Sequence, residues 1–220
     1  MTETRATSNT DTTDMIAVHQ VLRDAITDAP ALIGGAEPGD IQRAAVVGSY
    51  YDNVLRFLQV HHHAEDELVW PKLLERAPER AELVHGMISD HEDIHDALGR
   101  ASAALPQWVS SGDPGAAGEL TAAIGDLGST LIPHLDKEER ETLPLISAHL
   151  SEEEWGEMPG HALRAFDGDK VWLILGLIRE NMTEAQREAM LAHMPPPPRD
   201  MWINMGNAAF DEFIAKVRNQ

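Results

Sequence analysis

The sequence predicts an all-α protein, an up-down four-helix bundle with additional C-terminal helices. Three observations predict it: apolar residues recur at helical spacing over long stretches, strand-like alternation is scarce, and one pattern of paired helices occurs twice. With 43% hydrophobic and 25% charged residues, the composition is that of a soluble globular protein. A chain of 220 residues is long enough for one core domain with an appended segment.

The first two helices are predicted over residues 14–29 and 40–77. They follow a polar stretch, residues 1–13, which we expect to be a disordered tail. The loop "APALIGGAEPGD" separates them. Along the second helix, residues spaced by three or four form one stripe that mixes apolar and polar side chains: Val54, Leu58, His61, Glu65 and Leu68. His61 and Glu65 are therefore expected to point toward the core.

The third and fourth helices repeat this mixture of apolar and polar residues. The third follows Pro78, and its stripe is Val84, Ile88, His91, His95 and Leu98. The fourth follows "SSGDPGAAG", and its stripe is Leu127, Leu131, His134 and Glu138. Pro71 and Pro144, each ten residues after a stripe histidine, are expected to kink or end their helices.

The two halves of this region align with each other. "HHHAEDELVWPKL" (61–73) matches "HLDKEERETLPLI" (134–146) at an offset of 73, and "MIAVHQVLRDA" (15–25) matches "MISDHEDIHDA" (87–97) at an offset of 72. The alignment pairs His19 with His91, Arg23 with His95, His61 with His134, Glu65 with Glu138, and Asp66 with Glu139. Two similar helical hairpins therefore bury their stripes against each other in one bundle over residues 14–150.

The polar members of the stripes predict a buried metal site. Buried charges are costly unless they are paired or bind metal, and a chain without cysteine must bind metal through His, Asp or Glu. The predicted ligands are His19, His61, Glu65, His91, His95, His134 and Glu138. Because Arg23 stays protonated and replaces His95 in the first hairpin, we expect one metal ion to take three histidines and the other two. The second ion would keep an open position for a small ligand.

These residues resemble the hemerythrin-like (HHE cation-binding) proteins of the bacterial type, over residues 14–150. The resemblance implies a non-haem di-iron centre of two iron ions with an oxo or hydroxo bridge, which binds O₂, NO or peroxide. Oxidative or nitrosative stress defence is the expected setting. Animal hemerythrins place the last carboxylate five residues after the histidine, at Glu139 here, whereas the internal repeat favours Glu138.

Three other functions are compatible with some of these residues. The same centre could decompose peroxide or NO as a di-iron enzyme, or sense iron or oxygen. "HEDIH" (91–95) also matches the H-E-x-x-H motif of zinc peptidases, in which Glu92 would act as base. The peptidase is disfavoured because the motif lacks a third His nearby and leaves the other aligned His and Glu residues unexplained.

The remaining histidines are not expected to bind metal. His62 and His63 lie about 100° and 200° round the helix from His61, so we expect them to face a neighbouring helix or solvent, with Asp66 hydrogen-bonded to His62. Four further histidines lack a partner pattern and are expected to be surface or structural residues: His85, His149, His161 and His193.

Residues 151–220 are expected to form a helical extension that packs on the bundle. "SEEEWGEM" predicts a capped turn, "DKVWLILGLIREN" and "TEAQREAMLAHM" two short helices, and "PPPP" a break before a last helix. A lid over the metal site or a homodimer surface is the alternative. The net charge of −20 argues against nucleic acid and anionic membranes as partners. Without a signal peptide or membrane span, we expect a cytoplasmic protein.

Overall fold

The computed structural model describes residues 9–219, and the described residues form helices and contain no strand. This confirms the predicted all-α fold. Four long helices form the bundle, and two short helices extend its second and fourth members. In chain order these are α1 (Asp14–Gly34), α2 (Ile41–Leu68), α3 (Trp70–Arg76), α4 (Ala81–Ser111), α5 (Pro114–Lys137) and α6 (Leu143–His149).

Local sequence signals explain where the bundle helices begin and end. The Asp40 side chain caps α2 by accepting a hydrogen bond from the Arg43 N–H, and Asp113 caps α5 in the same way. Gly112 ends α4 in the left-handed region, at φ 60°, which glycine adopts without strain. These caps keep both hairpin connections short.

The second helix of each hairpin is interrupted near a proline, as predicted. α2 ends at Leu68 and the chain resumes in α3, whose second residue is Pro71. α5 passes through a π-helical turn, Glu138–Thr142, into α6, whose second residue is Pro144. A proline lacks the N–H that would continue the helical hydrogen bonds, so the helix is interrupted there. The π turn begins at Glu138, and such turns are frequent at functional sites.

The C-terminal extension packs on the bundle through an apolar surface. It comprises α7 (Glu152–Trp155), α8 (Glu157–Ala165), α9 (Val171–Glu180), α10 (Glu184–His193), α11 (Pro196–Met201), a π-helical turn (Trp202–Gly206) and α12 (Asn207–Arg218). Ser151 and Glu154 form the predicted capping box of α7. Leu173, Leu177 and Phe210 join the apolar core of the bundle. The extension therefore shares a core with the helices that it covers.

The predicted tail, residues 1–13, lies mostly outside the described residues. Of its last residues, Thr10 is buried against α6, where its hydroxyl donates to the Leu150 carbonyl at 2.6 Å. Its backbone N–H donates to the Ser147 carbonyl at 2.9 Å. This part of the predicted tail is thus held in place by hydrogen bonds. Across residues 9–219, every helix is too short or too polar to cross a membrane.

Candidate metal centre

A cluster of seven buried His and Glu side chains lies in the interior of the bundle. Its members come from α1, α2, α4, α5 and the π turn: His19, His61, His62, Glu65, His91, His134 and Glu138. They form two groups within which all potential ligand atoms lie within 4.8 Å of one another. One group is His19, His61, Glu65 and Glu138, and the other is His62, Glu65, His91 and His134. Because Glu65 belongs to both groups, the two positions are adjacent.

Each of the two buried carboxylates lies between histidines of different helices. Oε1 of Glu65 is 3.4 Å from Nε2 of His61, and its Oε2 is 3.4 Å from Nε2 of His91. Oε2 of Glu138 is 3.4 Å from Nε2 of His19 and 3.8 Å from Nε2 of His134. Each carboxylate therefore lies within reach of imidazole nitrogens from two helices. This placement also puts Glu138, which the internal repeat favours, inside the cluster.

The outward nitrogens of two histidines are held by acidic residues. Nδ1 of His19 lies 2.8 Å from Oε1 of Glu139, and Nδ1 of His91 lies 2.8 Å from Oδ1 of Asp66. These two pairs are equivalent in the internal repeat, and each joins the two hairpins. A carboxylate on the outer nitrogen orients a metal-binding imidazole and fixes which nitrogen faces the metal. Glu139 is thus placed to support His19.

Arg23 holds the supporting carboxylate Glu139 in turn. Its guanidinium donates to Glu139 and to Asp136, both at 2.7 Å. Arg23 therefore lies in the layer around the cluster and outside the cluster itself.

The donor atoms that face the centre lack hydrogen bonds. Among the buried atoms without a partner are Nε2 of all five clustered histidines and both carboxylate oxygens of Glu65 and Glu138. Buried polar groups are nearly always satisfied, so nine unpaired atoms aimed at one another need a common partner. Metal cations bound by these imidazoles and carboxylates would satisfy such atoms. The residues present therefore fit a metal centre.

Without cations, burial and mutual electrostatic interactions shift the pKa values of the clustered residues. Burial and the nearby Glu138 raise the pKa of Glu65 to about 8. Burial and His19 lower the pKa of His61 to about 3. Burial disfavours the charged forms of His19 and Glu138, but their mutual attraction outweighs it, raising the pKa of His19 to about 9 and lowering that of Glu138 to about 2. Protons thus compensate part of the buried charge that metal ions would otherwise neutralise.

The structure corrects the expectation for His95, whose side chain is exposed and outside the cluster. The buried positions of α4 alternate in steps of three and four: Val84, Met87, His91, Ile94, Leu98 and Ala101. After His91 the next inward residue is therefore Ile94, and His95, about 40° round α4 from His91, lies exposed at the edge of the buried stripe. Its equivalent in the repeat, Arg23, also points away from the centre. The H-E-x-x-H peptidase site does not form either, since Glu92 and His95 are both exposed.

His62 occupies the place in the centre that we predicted for His95. Adjacent residues of α2 straddle the bundle axis: the His61 ring lies 5.5 Å from that of His19 on α1, and the His62 ring lies 4.1 Å from that of His91 on α4. Asp66, which we expected to bond His62, bonds His91 instead. The cluster keeps five imidazoles and two carboxylates, with three histidines in one group and two in the other. The string "HHH" gave no signal for choosing His62, because the choice depends on how α2 faces α4.

His and Glu donors in the interior of a helical bundle are typical of metal-binding helical proteins. The family model described as the hemerythrin HHE cation binding domain matches residues 10–146, and the chain belongs to this family. This confirms the resemblance seen in the sequence. Comparisons with curated proteins and with solved structures gave no significant match.

Proposed function

We propose that this protein holds two iron ions and binds O₂, NO or peroxide at an open position on the ion held by His19 and His61. The observation that carries the proposal is the pair of overlapping donor groups that share Glu65. Each group provides four donor residues, which is enough to hold one first-row ion. The shared carboxylate brings two such ions close enough to act together on one small ligand.

The types of donor support iron as the metal. Five imidazoles with two carboxylates suit first-row ions such as iron or zinc better than Mg²⁺ or Ca²⁺, which prefer oxygen ligands. Iron in such a centre supplies reversible one-electron chemistry and affinity for diatomic ligands. The chain supplies the pairs His19–Glu139 and His91–Asp66, which hold the imidazoles in orientation. Two carboxylates against two divalent ions leave net positive charge, which favours binding of an electron-rich ligand.

The internal repeat supports an open position on one side only. Nearly every polar residue of one donor group has a polar counterpart in the other, related by the offset between the hairpins. The exception is His62, whose counterpart at an offset of 73 is Leu135. Leu135 is fully buried and has no donor atom. The ion held by His19 and His61 would therefore have one imidazole ligand fewer than its neighbour, two against three.

A small apolar cavity lies about one helical turn from the histidines of the centre. It lies between α1, α2 and α5, and its walls include Leu22, Leu58 and Leu131. These leucines are each three residues, about one helical turn, from His19, His61 and His134 respectively. An apolar cavity is poorly hydrated but accepts weakly polar molecules. With a volume of only about 10 Å³, this cavity indicates an apolar surrounding for the proposed ligand position, which disfavours charged ligands.

Metal analysis followed by rapid mixing tests the proposal. Protein purified from iron-supplemented cells is expected to contain about two irons per chain, one per donor group. The reduced protein is then mixed with O₂, NO and H₂O₂ in separate stopped-flow experiments. A stable, reversible adduct with O₂ or NO supports the proposed binding function. Repeated turnover of peroxide or NO would make the protein an enzyme, whereas slow oxidation with neither adduct nor turnover would favour an iron sensor.

A further inference from the structure

A second group of metal-binding side chains lies on the surface, where the C-terminal extension meets the bundle. It consists of His63 and Glu67 on α2 and His161 on α8. We propose that these three residues bind one divalent first-row cation, with Zn²⁺ as the best-suited ion, and that this ion clips α8 to α2. The proposal is independent of the metal and ligand of the buried centre.

The three ligand atoms have the spacing of a tetrahedral site. Nε2 of His63 lies 3.3 Å from Oε1 of Glu67, and Nε2 of His161 lies 3.1 Å from Oε2 of the same carboxylate. Ligands about 2.0–2.1 Å from a tetrahedral zinc ion are separated by about 3.4 Å. The two imidazole rings approach each other at 5.9 Å between centroids, with both Nε2 atoms near one carboxylate. Small side-chain movements would bring all three donors onto one ion.

The His161 ring offers a donor atom that no protein group satisfies. Its Nε2 has no access to solvent and forms no hydrogen bond, although Glu67 is close, because the alignment is unsuitable. An unpaired buried nitrogen is costly, and a metal ion would satisfy it. A simple i, i+4 ion pair on the surface of α2 would not leave such an unpaired buried nitrogen. The contact with α8 is therefore the distinctive part of the site.

This group is separate from the buried centre, although its residues are close in sequence. His63 follows His62 directly, but 55% of its side chain is exposed, whereas His62 is buried. The outer group therefore lies on the opposite face of α2. Glu67, with 49% of its side chain exposed, leaves room for a water molecule at a fourth position. Two imidazoles, one carboxylate and one water form a recognised type of open zinc site.

A cation at this position would link distant parts of the chain. α8 belongs to the extension and packs against α2. The histidine from α8 has the side chain least exposed of the three, at 21%. Metal binding would therefore fasten α8 beside the segment of α2 that carries His61, His62 and Glu65.

Zinc titration of the full-length, iron-loaded protein tests this site. Isothermal titration with Zn²⁺, with iron release followed in parallel, should show one zinc equivalent beyond the buried metal. His63→Gln, Glu67→Gln and His161→Gln should each weaken this equivalent at least about tenfold, since loss of even an indirect metal contact has that effect. Iron content should be unchanged. His85→Gln, which removes an exposed histidine elsewhere on α4, is the matched control and should bind zinc normally.

Hydrogen exchange of residues 157–165 supplies a second measurement. Zinc should slow exchange in α8 of the wild-type protein and have no such effect in His63→Gln. Residue 63 is exposed, so this variant should fold normally. The absence of an additional zinc equivalent in the wild type would overturn the site. Unchanged zinc affinity in His161→Gln would restrict binding to α2 and overturn the proposed link between α8 and α2. Zinc binding without slower exchange in α8 would overturn the same link.

Discussion

The imidazole of His62 stacks on that of His91, with ring centroids 4.1 Å apart and planes inclined by 11°. This contact joins α2 to α4 inside the bundle and places one nitrogen of each ring within 4.8 Å of a Glu65 oxygen. His95, one turn beyond His91 and about 40° round α4 from it, is exposed. The sequence predicted that His95 would join His91 and His134 in the three-histidine group. The contact shows that His62 joins them instead.

Replacement of His62 is expected to remove metal, and replacement of His95 is not. His62→Ala deletes one of the three imidazoles of its group and should leave about one of the two ions weakly held. His95→Ala removes an exposed side chain and should leave the metal content at the wild-type value. Inductively coupled plasma mass spectrometry of the purified variants measures both. Normal metal in His62→Ala together with loss in His95→Ala would show that α4 is rotated relative to the arrangement described here.

Replacement of Glu138 is expected to reduce metal binding more than replacement of Glu139, its neighbour in the π turn. Glu138→Gln removes a buried group that faces both His19 and His134, so the protein should fail to retain a full complement of metal. Glu139→Gln removes only the support of His19 and should weaken metal affinity by about 10–100-fold. Chelator competition with each variant gives the affinities. Equal losses would contradict the assignment of Glu139 to the supporting layer.

Asp66→Asn serves as the matched control for Glu139→Gln, because Asp66 supports His91 in the same way. The two variants should weaken metal binding to a similar degree. An Asp66 variant indistinguishable from wild type would indicate that the repeated supporting pairs are not equivalent.

Introduction of a histidine at residue 135 is expected to close the proposed open position. Leu135 is the counterpart of His62, so Leu135→His would add a donor where the repeat lacks one. The variant should keep its metal but lose most of its ability to bind NO or azide, measured by absorption spectroscopy. Leu135→Met, which retains an apolar side chain of similar size, is the control and should bind these ligands. Unimpaired ligand binding by Leu135→His would place the open position elsewhere.

Removal of the metal is expected to destabilise the bundle. The metal-free centre buries Glu65 and Glu138, each with 0% exposure, beside five imidazoles. An ion present at 100 times its dissociation constant stabilises the folded state by about 2.7 kcal/mol. For a chain of this size, each kcal/mol raises the melting temperature by about 2–4 °C. Calorimetry before and after chelation should show this difference and its recovery on adding iron, and identical melting curves would contradict a metal bound at the centre.

Overpacking at Gly176 is expected to loosen the C-terminal extension. A Cβ at this position would overlap the ring of Phe210, which packs between α9 and α12. Gly176→Ala should therefore destabilise the protein by about 1–3 kcal/mol and increase proteolysis after residue 150. Gly118→Ala, where no atom lies within 4 Å of the new methyl group, is the control. Equal protease resistance of both variants would contradict the packing described for the extension.

The sequence by itself determined the fold class, the family and most of the buried donors. Helical spacing needs only local information, since residues three and four apart always share a face. The internal repeat then related the two hairpins, so that His19, His61, Glu65, His91, His134 and Glu138 could be recognised together. It also favoured Glu138 over Glu139 and anticipated the interruptions near Pro71 and Pro144.

Only the tertiary structure decided which further residue completes the two metal-binding groups and which residues support them. The choice between His62 and His95 depends on the rotation of α2 and α4 about their axes, which small differences in packing set and local spacing does not reveal. The role of Glu139 and Asp66 likewise requires contact between the hairpins. His161 meets His63 and Glu67 only because the extension folds back on α2, and no periodicity in a chain relates residues so far apart.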